Sequence, residues 1–272
     1  MNKIAYNIAV YTCLLLLSFL MTGCDHVFEY HPYDTRFDGE DALNNKAIDR
    51  IEQTLANNDS FCFAVISDTH IGYTSFEKAV ASINANQDID FVLHLGDLTD
   101  SGITSEFIKT RNILSNLNAP CVTLIGNHDF LGTGRYTFSA MFGNPDDSFV
   151  VGNTLFVIIN TNSKEYDYAA PVPDISFMET IARNTQAQRT IVCMHARPGS
   201  DQFNTNIEPL FQYYVKSFPD IMFCLNGHDH SLQCDDLFND GVIYFGTPSI
   251  TKHQYRIFRI NDNGYENEVV TF

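Results

Sequence analysis

The stretch Cys121-Val122-Thr123-Leu124-Ile125-Gly126-Asn127-His128-Asp129 decides how the rest of the chain is interpreted. It starts with a short apolar run, which is typical of a strand buried on both faces. An amide, an imidazole and a carboxylate follow at once, and Gly126 allows the backbone to turn between the two parts. These polar residues form either a loop that caps a helix or a functional site at the end of a strand. The stretch alone leaves both interpretations open.

Similar apolar runs alternate with amphipathic segments along the chain. The runs cover 61–67, 91–95, 121–125, 190–194 and 221–225. Helical spacing of apolar residues marks the segments 41–55, 76–86, 105–117, 175–187 and 207–217. Continuous apolar runs that are linked by helices are typical of strands buried on both faces of a parallel or mixed sheet. We therefore predict an α/β domain in which two sheets pack together with helices outside them.

Two further groups of strands are predicted to be antiparallel. Residues 148–151 and 154–159 flank the turn pair Gly152-Asn153 and predict a hairpin. Near the end of the chain, the segments 242–245, 255–260 and 268–271 predict a second antiparallel set, with a turn at 262–264.

Polar side chains follow every one of the buried runs. These groups are Asp68-Thr69-His70, Gly96-Asp97, Gly126-Asn127-His128-Asp129, His195 and Gly227-His228-Asp229-His230. In open α/β sheets, ligands bind beyond the carboxyl ends of the strands, so the groups can converge on one crevice. The side chains among them that can bind a metal ion are Asp68, His70, Asp97, Asn127, His195, His228 and His230. They are too many for one tetrahedral ion and suit two ions of higher coordination.

The series of groups resembles the calcineurin-like metallophosphoesterase superfamily, whose motif is complete between residues 61 and 230. The resemblance implies a four-layer α/β/β/α sandwich of two mixed β-sheets with flanking helices. It also implies two divalent metal ions, and the oxygen and nitrogen ligands favour manganese, iron, zinc or magnesium. By the resemblance, Asp68, His70 and His230 hold one ion. Asn127, His195 and His228 hold the other, and Asp97 bridges the two.

The same resemblance implies hydrolysis of a small phosphoester by water, which the two ions activate for in-line attack on phosphorus. His128 would contact the phosphate and protonate the leaving oxygen, and Asp129 would orient His128. Arg197 is either a contact to the substrate phosphate or a surface arginine beside a proline turn. Phosphodiesters and phosphomonoesters both remain open, and the stretch 96–102 slightly favours diesters. Asp100 stands where purple acid phosphatases carry a tyrosine metal ligand, so no purple iron site is expected.

The N-terminus has the features of a secretory signal. Lys3 precedes an apolar run, and Met21-Thr22-Gly23-Cys24 resembles a bacterial lipobox. We therefore predict a signal peptide at 1–23, lipidation of Cys24, a tether at 24–40 and the catalytic domain at 41–272. The lipid would hold the protein to a membrane in the cell envelope, outside the cytoplasm, on a periplasmic or surface face. The alternative is an ordinary secretory signal with an incidental cysteine.

Composition narrows the range of partners. The net charge is −17 with only 16 lysines and arginines, so we expect no binding to nucleic acid, which requires basic patches. An alternative to the hydrolase is a non-catalytic metal-binding surface lipoprotein that keeps the fold for ligand or partner binding. A third interpretation, an unrelated sugar-binding or structural lipoprotein, requires the polar strand ends to be accidental. The sequence leaves the oligomeric state open.

Overall fold

The computed structural model describes residues 33–167 and 169–272, together with the isolated positions 3, 7, 11, 12 and 31. Cys24 and nearly all of the predicted signal peptide lie outside the described residues. Within the described part, no helix is both long and apolar enough to cross a membrane.

Helices and strands alternate through most of the described chain. The helices are α1 (Leu43–Leu55), α2 (Tyr73–Ala85), α3 (Thr104–Leu114), α4 (Gly134–Met141), α5 (Ile175–Asn184) and α6 (Glu208–Val215). The strands are β1 (Phe61–Ile66), β2 (Phe91–His94), β3 (Cys121–Thr123), β4 (Asp147–Val151), β5 (Thr154–Ile159), β6 (Arg189–Met194), β7 (Ile221–Asn226), β8 (Tyr244–Gly246), β9 (Gln254–Asn261) and β10 (Gly264–Thr271).

The strands form two mixed five-stranded sheets. The first has the order β10-β9-β1-β2-β3, and the second has the order β4-β5-β6-β7-β8. Strands β1 to β3 are parallel, whereas β9 and β10 join them in antiparallel fashion. In the second sheet only the hairpin of β4 and β5 is antiparallel. The hairpin predicted around Gly152-Asn153 is thereby confirmed.

Three apolar cores separate four layers. All six residues of β1 are buried, because successive side chains point to opposite faces and both faces are covered. Phe63 lies in the core between the sheets, where its ring stacks on Phe91 at a centroid distance of 5.1 Å. Ala64 and Ile66 pack against the helices α2 to α4, and a third core joins the second sheet to α5 and α6. The predicted α/β/β/α sandwich is confirmed.

The prediction for residues 242–245 was wrong in its pairing. Strand β8 does not join the C-terminal antiparallel set but pairs in parallel with β7, with Tyr244 opposite Cys224 and Phe245 opposite Leu225. The partner of this short apolar run is set by contacts with a distant strand, which local patterning does not contain. The chain then passes from the second sheet to the first through residues 247–253.

Part of the predicted tether belongs to the folded domain. The carbonyl of Asp38 accepts a hydrogen bond from Arg111 Nη1 at 2.8 Å, and the carbonyl of Asp34 accepts one from the hydroxyl of Thr104. Phe37 is partly buried against the core between the first sheet and its helices. The folded part therefore begins before the predicted boundary at residue 41, because an aromatic side chain covers the apolar surface beside α3.

A buried carboxyl beside the second sheet gives a prediction about pH and stability. Asp146 Oδ1 accepts the backbone N–H of Asn160 at 2.7 Å, and burial raises the pKa of Asp146 to about 7. The unfolded chain loses this proton near pH 4, so the contribution of Asp146 to stability is complete below that pH and is lost as the pH rises through about 7. Asp146→Asn keeps the acceptor oxygen without the charge. It should raise the free energy of unfolding at pH 8 by about 1–4 kcal/mol and by less at pH 5.

Urea denaturation at the two pH values measures this effect. Asp262→Asn, in an exposed turn, is the matched control and should show no such difference between pH 5 and pH 8. An equal effect of Asp146→Asn at both pH values would contradict the assignment.

Candidate metal centre

The predicted site residues lie in the loops that follow β1, β2, β3, β6 and β7, at one edge of the two sheets. Backbone hydrogen bonds tie these loops to each other. Asp68 N donates to Gly96 O, and Gly227 N donates to His195 O, each at 3.0 Å. These backbone hydrogen bonds hold the loops together, so the predicted site residues converge as their positions after the strands indicated.

Two glycines allow the loops to approach this closely. A Cβ on Gly126 would overlap the backbone N and a carboxylate oxygen of Asp97. A Cβ on Gly227 would overlap Ser67 Oγ and would lie 2.9 Å from Asp68 Oδ2. The close approach requires glycine at both places, because any side chain would push a predicted ligand out of position.

Four side chains converge in a first group. Asp68 Oδ1 lies 3.2 Å from His230 Nε2, and His230 Nε2 lies 3.4 Å from His70 Nε2. Asp97 Oδ2 lies 3.6 Å from His70 Nε2. One ligand atom from each of these residues falls within 4.8 Å of the others, which is the spacing of donors around a single ion. The structure thus brings together the residues predicted for the first ion.

The remaining predicted ligands form a second group around an amide oxygen. Asn127 Oδ1 lies 3.1 Å from His195 Nε2 and 3.0 Å from His228 Nδ1. His195 Nδ1 donates to the carbonyl of Leu95 at 2.7 Å, so Nε2 of a neutral ring presents a lone pair to the group. Asp97 Oδ2 lies 3.4 Å from His195 Nε2 as well as beside His70, so this oxygen lies between the two groups.

The buried carboxylate of Asp68 tests whether cations fit this site. Its side chain is fully buried, and neither oxygen makes a hydrogen bond of normal geometry. A buried charge without hydrogen bonds is strongly unfavourable unless a cation compensates it. The donor set of carboxylates, imidazoles and an amide oxygen, without thiolate, suits hard or borderline divalent ions. The residues present therefore fit the two metal ions that the sequence implies.

The backbone of the site is strained where the ligands are. The predicted ligands with left-handed backbone are Asp68 (φ 52°), His70 (φ 44°), Asp97 (φ 57°), His228 (φ 63°) and His230 (φ 50°). They make up half of the ten non-glycine residues with positive φ in the described part of the chain. Such conformations persist only where the surrounding structure imposes them, and they are concentrated at functional sites.

The electrostatics of the predicted metal site favour bound cations. Burial would lower the pKa of His195, but the carboxylate of Asp97 outweighs burial and raises it to about 10. Burial would likewise raise the pKa of Asp97, but the positive charge of His195 lowers it instead. Burial lowers the pKa of His70, which favours its neutral, ligand-ready form. A metal ion beside Asp97 would replace the proton of His195.

The predicted role of Asp129 needs correction. The Asp129 carboxylate accepts hydrogen bonds from Leu98 N, Thr99 N, Thr99 Oγ1 and Gly126 N at 2.8–3.2 Å. The ring of His128 instead has Nδ1 2.8 Å from the carbonyl of Asp100. Asp129 is fully buried beneath the loops and braces them, so it does not orient the imidazole.

This correction predicts a difference between two variants. Asp129→Ala leaves several buried donors without a partner and should lower the free energy of unfolding by about 3 kcal/mol or more. His128→Ala removes a partly exposed ring and should change stability by less than about 1 kcal/mol. Denaturant unfolding of the metal-free proteins compares the two. Equal losses of stability would contradict the bracing role of Asp129.

Arg197 is not a free cation at the mouth of the site. Its Nε donates to Asp229 Oδ2 at 2.6 Å, so a carboxylate next to His228 holds the guanidinium. One contact of a predicted ligand was missed in the sequence: His228 Nε2 lies 2.8 Å from Asp201 Oδ1. Asp201 lies in an exposed loop outside every motif, and no spacing signal points to it.

Comparisons with known proteins show what this chain is similar to. A family model described as calcineurin-like phosphoesterase matches residues 62–243. "Uncharacterized protein YvnB" of Bacillus subtilis (strain 168) is 26% identical in an alignment 228 residues long, which covers 72% of this chain and 17% of that protein. Purple acid phosphatase 3 of Arabidopsis thaliana is 25% identical in an alignment 224 residues long, which covers 68% of this chain and 61% of that protein. The matches therefore span less than two thirds of either relative's own length.

Solved structures share the fold. GAP50, the anchor in the inner membrane complex of Plasmodium, matches with a TM-score of 0.57 and 13% identity, covering 79% of this chain and 85% of its own. A 5'-nucleotidase from Candida albicans matches with a TM-score of 0.54 and 16% identity, covering 79% and 52%. The purple acid phosphatase PPD1 of yellow lupin matches with a TM-score of 0.53 and 12% identity, covering 78% and 54%. At these identities the likeness shows the fold alone.

Proposed function

The chain belongs to the calcineurin-like phosphoesterase family, and from this premise we propose that it is a hydrolase that cleaves small phosphoesters with two divalent metal ions. The observation that carries the proposal is the position of Asp97. One oxygen of this buried carboxylate lies between two groups of donor atoms, at 3.6 Å from His70 Nε2 and 3.4 Å from His195 Nε2. The buried carboxylate of Asp68 supports it, since neither oxygen makes a hydrogen bond of normal geometry and such a group is stable only beside positive charge.

We propose that Asp68, His70 and His230 hold one ion, that Asn127, His195 and His228 hold the other, and that Asp97 is shared between them. When bound, the ions supply a nucleophile near neutral pH and offset charge that develops on the phosphate oxygens. Asp97 Oδ1 accepts the backbone N–H of His128 at 2.9 Å, which fixes the loop of His128 relative to the shared carboxylate.

His128 is the proposed donor of the proton to the leaving oxygen. A carbonyl oxygen only accepts hydrogen bonds, so Nδ1 carries the hydrogen that points to Asp100. The opposite nitrogen, Nε2, is then the atom that gives a proton to substrate when the ring is protonated. The ring lies against His70, with centroids 4.7 Å apart, and so lies at the edge of the first group of ligands.

This role predicts a dependence on the leaving group. His128→Ala should lower kcat about 100-fold or more for an alkyl phosphoester, whose alkoxide needs a proton. For a p-nitrophenyl ester the loss should be far smaller, because nitrophenolate leaves without protonation. Steady-state kinetics with both esters measures the ratio. A similar loss for both substrates would contradict the proposed role in proton donation.

Within this class, we propose that diesters are slightly favoured over monoesters. The stretch 96–102 resembles the branch with class III cyclic nucleotide phosphodiesterases, and the chain carries a net charge of −17. A diester has one negative charge and a monoester has up to two, so the field of the protein opposes a monoester more. We also propose that Arg197, held by Asp229, contacts the substrate phosphate with its remaining N–H groups.

A direct experiment tests the hydrolase. A soluble form that starts after Cys24 is stripped of metal, reloaded with manganese and offered bis-p-nitrophenyl phosphate and p-nitrophenyl phosphate in parallel. Metal-dependent cleavage, faster for the diester, is the expected result. Two bound ions without turnover of either ester would favour the non-catalytic binding protein instead.

We propose that lipid on Cys24 anchors the protein in the cell envelope, outside the cytoplasm. The support is the order of Lys3, the apolar run and Met21-Thr22-Gly23-Cys24. Cys24→Ser should abolish incorporation of labelled palmitate and release the protein from membranes. Unchanged membrane association of this variant would contradict the anchor.

A further inference from the structure

We propose that Asp201 is a positioning residue that orients His228 for metal binding, and that Lys164 holds Asp201 in place. The inference rests on the proposed two-metal function and extends it to residues outside the family motif. Asp201 Oδ1 lies 2.8 Å from His228 Nε2, and Asp201 Oδ2 lies 3.1 Å from Lys164 Nζ.

The contact with Asp201 fixes which nitrogen of His228 is the ligand. A carboxylate only accepts hydrogen bonds, so Nε2 of His228 carries the hydrogen and Nδ1 of the neutral ring presents its lone pair. Nδ1 is the atom that lies 3.0 Å from Asn127 Oδ1, on the side of the second group of ligands. A carboxylate on the outer nitrogen also makes the inner nitrogen a more basic ligand.

Contacts between two loops fix the position of Asp201 beside His228. Lys164 lies in the short helical turn Ser163–Tyr166, and its backbone N donates to the carbonyl of Gln202 at 3.4 Å. The ion pair at Asp201 and this backbone bond at the next residue tie the turn to the loop that carries the carboxylate. Asp201 therefore reaches His228 from a fixed position, although it follows no strand.

The ion pair between Asp201 and Lys164 contributes little to the stability of the fold. The side chain of Asp201 is 68% exposed and that of Lys164 is 51% exposed, and exposed ion pairs contribute at most about 1 kcal/mol. Variants of Asp201 and Lys164 are accordingly expected to fold like the native protein.

The chain provides a matched control in Asp229. This carboxylate is adjacent to His228 in sequence and is paired with a cation, Arg197, as Asp201 is paired with Lys164. Asp229→Asn and Asp201→Asn each remove one negative charge near the centre. Of these two carboxylates only Asp201 touches the ring of a predicted ligand, so the comparison separates the loss of a charged hydrogen-bond acceptor on that ring from the general effect of charge.

Isothermal titration of the full chain, solubilised in detergent and stripped of metal, measures binding of manganese alone. The native protein should bind two ions. In Asp201→Asn, the affinity for one ion should fall about 10–100-fold while the other stays unchanged. Asp229→Asn should keep both affinities within about 3-fold of the native values. Lys164→Met should lower the affinity for one ion by a smaller factor than Asp201→Asn does. Thermal unfolding of the metal-free proteins should give the native midpoint for Asp201→Asn and Lys164→Met, because both side chains are exposed.

The possible results distinguish the role of Asp201 from the proposed two-metal function on which it rests. Native protein that binds no manganese would overturn the proposed function together with this role. Two ions in native protein, with equal affinities in Asp201→Asn or equal losses in Asp201→Asn and Asp229→Asn, would overturn the role of Asp201 alone. A lower unfolding midpoint for metal-free Asp201→Asn would assign Asp201 to the fold and would overturn it as well.

Discussion

Asp97→Asn should abolish metal-dependent phosphoester cleavage, with a loss in kcat/KM of about 10⁴-fold, equivalent to roughly 5–6 kcal/mol of transition-state stabilisation. The substitution keeps the shape of the side chain and the acceptor for His128 N, so the loop stays in place. It removes the charge that lies between the two groups of ligands, at 3.4 Å from His195 Nε2. This single substitution should therefore weaken the binding of both proposed ions.

Asp90→Asn is the matched control for this experiment. Asp90 precedes β2, whereas Asp97 follows it, so the same substitution is made at the two ends of one strand. The Asp90 carboxylate accepts the backbone N–H of Cys62 at 2.8 Å, far from the ligands, and an amide can keep this bond. Steady-state kinetics should show native activity for Asp90→Asn. Activity of Asp97→Asn within 10-fold of native would contradict the shared role of Asp97.

Asp68→Asn should reverse its effect on stability when manganese is added. Without metal the buried carboxylate of Asp68 lacks hydrogen bonds, so its replacement by a neutral amide should stabilise the metal-free protein by about 2 kcal/mol. With manganese in large excess, native protein should gain about 4 kcal/mol or more from each tightly bound ion. The variant should lose the gain from the ion that Asp68 would hold.

Thermal unfolding in chelator and in manganese checks this reversal. The measurement is best made at alkaline pH, because Asp68 raises the pKa of His230, and protonated His230, 3.2 Å from Asp68 Oδ1, would otherwise compensate the carboxylate. In chelator the variant should melt above native protein, and in manganese below it. A variant that melts below native protein under both conditions would mean that Asp68 stabilises the fold without metal.

Local patterns in the sequence predicted most of the fold and the position of the site. The run at 61–67 has six buried strand residues, and its polar successors Asp68 and His70 lie in the centre as expected. A buried strand and the polar residues at its end depend on residues that are close in sequence, so the spacing of apolar and polar side chains is enough to predict them. The prediction for 242–245 failed because the choice between two sheets is made by contacts across the fold.

The role of Asp129 and the contact of Asp201 could not be predicted for the same reason. Asp129 directly follows His128, which suggested that it orients the imidazole. In the structure, its carboxylate points to the amides of Leu98 and Thr99, about thirty residues earlier in the chain. Asp201 reaches His228 across two loops of irregular backbone. Contacts of this kind are set by tertiary structure.

The left-handed ligand residues bear on how such a site would change over generations. Each such residue costs about 1–3 kcal/mol, so those at Asp68, His70, Asp97, His228 and His230 together cost at least about 5 kcal/mol. That is comparable to the whole net stability of a typical domain, about 5–15 kcal/mol. Glycine at any of these positions would relieve strain. Selection for stability alone would therefore erode the site, and a descendant that no longer binds metal should accumulate glycine or asparagine first at these positions.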